Sequence, residues 1–120
     1  MKINKILIVG TGNISKRHFV IAQKKFSNVQ IKILTRNKNI LKYIDKSLYI
    51  NSISEALDFS PQISIISNPA PFHLNIAEKL VLNGSNILVE KPLSDKYNPI
   101  KIKSLLSAVK KSKKIMLIGD

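Results

Sequence analysis

The chain is 120 residues long, carries no cysteine and has 44% hydrophobic against 22% charged residues. That length holds one domain with a genuine core, and the composition excludes a disordered or collagenous chain, a disulfide scaffold, a thiolate metal site and a cysteine nucleophile. Lys and Arg total 20 against 7 Asp and Glu, a formal charge of +13. The basic residues are scattered from Lys2 to Lys114, in company with abundant Ile and Asn, as an AT-rich coding sequence produces. Only 6% of residues are aromatic and they do not interleave with the basic ones, so no base-stacking platform is legible and nucleic acid is not expected as a partner. The apolar run at the start, Ile6 to Val9, is far shorter than a signal-peptide core or a membrane span. A cytoplasmic address without membrane contact is the expectation.

Lys5 to Val9 is β-branched and apolar and stops at Gly10, as a strand buried on both faces does in a parallel sheet. From Asn13 to Phe26, Ile14, Phe19, Ala22 and Phe26 fall near helical spacing, with Lys16, Arg17, Gln23, Lys24 and Lys25 on the wet side. Val29 to Leu34 reads as the second strand, Asn37 to Asp45 as a short helix, and Ser47 to Ile50 as a weak third strand. Ser54, followed by Glu55, Ala56, Leu57 and Phe59, predicts a capped helical turn before Pro61. Ile63 to Ser67 then predicts a strand, Phe72 to Asn83 a helix stopped by Gly84, and Asn86 to Val89 a strand. A helix from Pro99 to Lys111 and a strand from Ile115 to Ile118 complete the pattern, with the lysines at 110, 111, 113 and 114 suiting the negative end of the helix dipole.

Strands and helices in strict alternation imply an α/β fold: a doubly wound, mainly parallel six-stranded sheet of the Rossmann kind, in the order 3-2-1-4-5-6 and in a single domain, residues 1–120. In such a sheet ligands bind at the carboxyl ends of the strands, which places the chemistry of this chain.

Gly10-Thr11-Gly12-Asn13-Ile14-Ser15 lies between the first strand and the first helix. Binding a dinucleotide there needs a tight turn, close approach of backbone to pyrophosphate, and a helix N-terminus whose free N–H groups meet the phosphates. Gly10 and Gly12 meet the first two needs. Ser15 stands where such loops carry a third small residue, and its size sets the helix slightly further from the strand. The second strand ends in Leu34-Thr35-Arg36-Asn37, without the acid that ordinarily receives a ribose 2′-hydroxyl. The Arg36 guanidinium suits a 2′-phosphate, which favours NADP slightly over NAD, or it is a solvated loop charge. His18 on the first helix reads as structural. No two carboxylates share a strand mouth, so a paired-acid mechanism is not expected, and no cluster of metal ligands is present in the pattern.

Together with the glycine loop, Asn68-Pro69 with His73 and the tripeptide Glu90-Lys91-Pro92 make the whole chain resemble the Gfo/Idh/MocA family of NAD(P)-dependent oxidoreductases, many of which act on sugars and cyclitols. The resemblance implies that Gly10, Thr11, Gly12, Asn13 and Ile14 hold the pyrophosphate and that Thr35 and Arg36 face the adenosine ribose. It implies that Asn68, Pro69 and His73 line the nicotinamide side, with Glu90 beside the nicotinamide ribose. Lys91 is then the catalytic residue, hydrogen-bonding and polarising the reacting hydroxyl during hydride transfer. Plainer readings stand beside these: His73 as a helix-start cap, and Glu90 with Lys91 as a surface ion pair. Similar proteins continue into a second domain that holds the substrate. The expectation is therefore a cofactor-binding part of an oxidoreductase, or else a non-catalytic nucleotide-binding module. Cofactor binding with little turnover, and an exposed apolar face prone to self-association, are further expectations.

Overall fold

The computed structural model describes residues 2–10, 13–35, 45–67, 73–90 and 99–119. In these, six strands form one sheet in the order β3-β2-β1-β4-β5-β6. They are β1 (Lys5–Val9), β2 (Gln30–Leu34), β3 (Tyr49–Ile50), β4 (Ile63–Ile66), β5 (Asn86–Glu90) and β6 (Met116–Gly119). All neighbours pair in parallel. The helices are α1 (Asn13–Lys25), α2 (Ile53–Phe59), α3 (His73–Leu82) and α4 (Pro99–Ser112). The expected α/β fold and strand order are those observed.

Alternation along β1 shows why the sheet must be covered on both sides. Leu7 and Val9 join a core built with Leu74, Ala77, Leu80 and Val81 of α3 and Leu105 and Ala108 of α4. Ile6 and Ile8 point the other way, into a second core with Phe19 and Ala22 of α1. Four consecutive apolar residues, Ile6 to Val9, are buried on both faces in the middle of such a sandwich, which is where β1 lies. The serines of the interior are satisfied: Ser64 and Ser85, both buried, share a hydrogen bond of 2.7 Å. On β6, Leu117 and Ile118 are 60% and 45% exposed, one on each face of this edge strand.

Two predicted elements need correction. The third strand is only Tyr49–Ile50, because Lys46–Leu48 form a 3₁₀ turn instead. Asp45 caps that turn: the Ser47 backbone N–H donates to its carboxylate at 2.9 Å and, with the Ser47 side chain, holds the Asp45 carboxyl below the usual carboxylate range. The cap of α2 is Ser52, not Ser54: its hydroxyl accepts from the Glu55 N–H at 3.1 Å and donates to the Glu55 carboxylate at 3.2 Å. Ser52→Ala is accordingly expected to lower the unfolding free energy by about 1 kcal/mol, and Ser54→Ala by much less, in paired urea denaturation curves. The predicted helix over residues 37–45 lies, but for Asp45, outside the described residues. The remaining boundaries shift by a residue or two.

Two helices end as their sequences direct. Gly84, at φ 101°, follows α3, with the Ser85 N–H donating back to the Leu80 carbonyl at 3.0 Å. Lys113, at φ 56°, does the same work after α4 without being glycine, and the Lys114 N–H donates to the Val109 carbonyl at 3.1 Å. Lys110 and Lys111 occupy the last turn of α4, where cations suit the dipole.

Candidate functional site

The parallel register brings the carboxyl ends of the strands into one line. Val9 is level with Leu34 on one side and with Ile66 on the other, Ile66 is level with Val89, and Glu90 with Gly119. The residues that follow continue the ladder: the Gly10 N–H donates to the Leu34 carbonyl at 2.9 Å, the Thr35 N–H to the Ile50 carbonyl at 3.1 Å, and the Ser67 N–H to the Val9 carbonyl at 3.0 Å. Gly10, Thr35, Ser67 and Glu90 thus stand on a single crest. β1 is flanked by β2 on one side and β4 on the other, so the chain reverses its direction of winding there, the place at which ligands bind in open α/β sheets.

Gly10 has φ 111°, a conformation that L side chains rarely adopt, and it is already pinned by its bond to Leu34. Beyond it, α1 begins at Asn13 and runs for 13 residues. No acidic residue occupies the first turn of α1, so no side-chain charge of that turn offsets the positive end of the helix dipole. The residue at the third small position, Ser15, is buried, and its hydroxyl lies 2.5 Å from that of Ser67. Ser67 donates its own proton to the Val9 carbonyl at 3.0 Å, so the proton between the two hydroxyls belongs to Ser15. Rather than acting only as a spacer, Ser15 ties the first turn of α1 to the ends of β1 and β4.

Glu90 is 8% exposed at the end of β5 and receives a hydrogen bond from His18 at 2.6 Å, Nε2 to Oε1. An ionised carboxylate only accepts, so this ring nitrogen carries the proton. Glu90 is thus buried rather than at the surface, and among the described residues its ion-pair partner is His18. Gly119 supplies the space: a Cβ built there would stand 3.0 Å from Glu90 Oε2 and 3.3 Å from its Cδ.

The structure thus brings together Gly10, the start of α1 with Asn13 and Ile14, Thr35, and Glu90, and it places His73 as the first residue of α3. Thr11, Gly12, Arg36, Asn68, Pro69 and Lys91 lie outside the described residues. Sequence reasoning missed Ser67 and Gly119 as site residues, and it read Ser15 only as a spacer and His18 only as structural. A signal for two of them was present: once a helix starts at Asn13, residues 15 and 18 share one face, and Ser15 was already assigned to the sheet side. Among the described residues there is no group of three or more metal-ligating side chains and no helix long and apolar enough to cross a membrane.

A six-stranded parallel sheet with a glycine at the mouth of its central strand defines a Rossmann-type nucleotide-binding domain. Residues 4–120 match the Gfo/Idh/MocA family, described as an oxidoreductase family with an NAD-binding Rossmann fold, and the chain belongs to that family. No curated protein matches it in sequence. Among solved structures it is similar to myo-inositol 2-dehydrogenase from Lactobacillus plantarum, at 21% identity and TM-score 0.81, covering 98% of this chain and 36% of that one. It is also similar to scyllo-inositol dehydrogenase from Lactobacillus casei with bound NAD(H) and scyllo-inositol, at 20% identity and TM-score 0.81, covering 99% and 36%. A third, the WlbA dehydrogenase from Bordetella pertussis in complex with NADH and UDP-GlcNAcA, shows 18% identity and TM-score 0.81, covering 98% and 35%. The chain spans little more than a third of the length of these dehydrogenases.

Proposed function

We propose that the crest of the sheet binds a nicotinamide dinucleotide, and that this chain forms the cofactor-holding part of an oxidoreductase acting on a sugar or related polyol. The observation that carries the reading is Gly10. Its positive φ of 111° at the end of the central strand, three residues before an acid-free helix start at Asn13, is a place where backbone can approach a diphosphate without a Cβ intervening. The residues fit the group, and the family is one of NAD-binding oxidoreductases.

In this reading Gly10, Thr11, Gly12, Asn13 and Ile14 hold the pyrophosphate through backbone N–H groups. Thr35 and Arg36 face the adenosine ribose, while Asn68, Pro69 and His73 line the nicotinamide side. Glu90 accepts from the nicotinamide ribose. Lys91, next to it in sequence, is the catalytic residue: its ammonium donates to the substrate oxygen and stabilises negative charge as it develops there. The bound nicotinamide supplies the hydride acceptor or donor. Orientation of the substrate carbon and exclusion of water require a second wall facing this crest, and the inositol and sugar-nucleotide dehydrogenases, nearly three times as long, suggest the class of substrate such a wall would hold.

Arg36 extends the proposal to a preference for NADP, since no acid ends β2 and a guanidinium pairs with a 2′-phosphate through two hydrogen bonds. Titration of NADH and NADPH into the purified chain, followed by nicotinamide fluorescence, tests both statements. Saturable binding of each, tighter for NADPH, is expected, and Arg36→Asp is expected to move the ratio of affinities toward NADH by about tenfold or more. No response to either nucleotide, alongside salt-sensitive DNA binding, would refute the functional reading. An unchanged ratio in Arg36→Asp would refute the role of Arg36 alone.

A further inference from the structure

Glu90 is the last residue of β5 and sits in the interior with only 11% of its side chain exposed. Such a carboxylate needs a partner, and a charged acceptor left alone at that depth would turn away or be neutralised. His18, 72 residues earlier and itself largely covered, provides it at 2.6 Å. The orientation of His18 is not accidental. One helical turn before it, Ser15 is bonded to Ser67, and this fixes the rotation of α1 about its axis so that the next side chain on that face meets the end of β5. Next to the carboxylate on the neighbouring strand β6, Gly119 leaves room that a Cβ would crowd, at 3.0 Å from Oε2. One oxygen of Glu90 is thus held by an imidazole, and the other occupies space that the missing side chain at position 119 leaves free.

We propose that His18 is a positioning residue of the nucleotide site: its ring holds the Glu90 carboxylate in the orientation in which the remaining lone pairs accept from the hydroxyls of the nicotinamide ribose. This rests on the dinucleotide reading of the crest. His18 does not itself touch the ligand. It acts through Glu90, and a hydrogen-bond donor of similar reach at position 18 replaces it.

The test compares NADH affinity in the whole chain, by fluorescence titration, across four variants whose folding is checked by circular dichroism. His18→Ala is expected to weaken binding by about tenfold, and His18→Gln, whose amide also donates, to stay within about twofold of the native chain. His18→Ala combined with Glu90→Ala is expected to bind no more weakly than Glu90→Ala alone, because both changes remove one interaction. If His18→Ala does not fold, His18→Leu, which keeps the bulk and loses the donor, takes its place. Native affinity in the variant without a donor, no rescue by His18→Gln, or losses that multiply in the double variant would overturn the role of His18 while leaving the nucleotide site standing. Absence of NADH binding by the native chain would overturn the reading of the crest and, with it, this inference.

Discussion

Gly10→Ala is expected to weaken NADH binding by about tenfold or more and to lower the unfolding free energy by about 1–3 kcal/mol. Both effects have one cause. At φ 111° a Cβ is strained whatever room surrounds it, and the Gly10 N–H is tied to Leu34 across the β1–β2 pair, so the turn cannot relax without breaking a ladder bond. The strain appears in urea denaturation of the free protein. The loss of affinity appears in nucleotide titration, because a backbone that shifts to relieve the alanine no longer presents its N–H groups to a diphosphate. Unchanged affinity in a folded Gly10→Ala variant would mean that the ligand does not pass over this turn.

The largest expected loss of stability comes from the layer under the crest. Leu80, fully buried, stands in α3 within the core that α3 and α4 build on β1, β4 and β5. Leu80→Ala removes its apolar contacts and leaves a cavity that rigid neighbours fill only in part, which costs about 2–5 kcal/mol. Domains of this size are stable by about 5–15 kcal/mol, so a third or more of the total can disappear with one side chain. The midpoint of urea unfolding should fall with no change in its slope. A loss below about 1 kcal/mol would show that α3 is not packed as described.

The fold was legible because its signals are local and repeated. Runs such as Ile6 to Val9 and Ile63 to Ile66 can be stable only as strands covered on both faces, and the helices between them carry apolar residues at helical spacing. The misplaced cap of α2 was a misreading of information that was present: Ser52 stands three residues before Glu55, the spacing a capping box requires, whereas Ser54 adjoins it. The third strand shrank for a different reason, since Asp45 competes for the Ser47 N–H and winds Lys46–Leu48 into a 3₁₀ turn. At the site, the glycine turn was readable from its position after a strand. The His18–Glu90 pair was not, because its members are separated by 72 residues and meet only when α1 and β5 share the central sheet. Gly119 shows its meaning only in register, opposite Glu90.

The position of β1 also bears on how the chain comes into being. This strand is made first, yet its neighbour on the β4 side arrives much later: Lys5 is tied to Gln62, 57 residues further on. At a translation speed of about 5–20 residues per second, roughly 3–11 seconds pass between synthesis of this apolar segment and of its partner on that side. Pairing with β2 and shielding by α1 are available sooner, so the β4 flank of β1 is the last part of this strand that synthesis can cover.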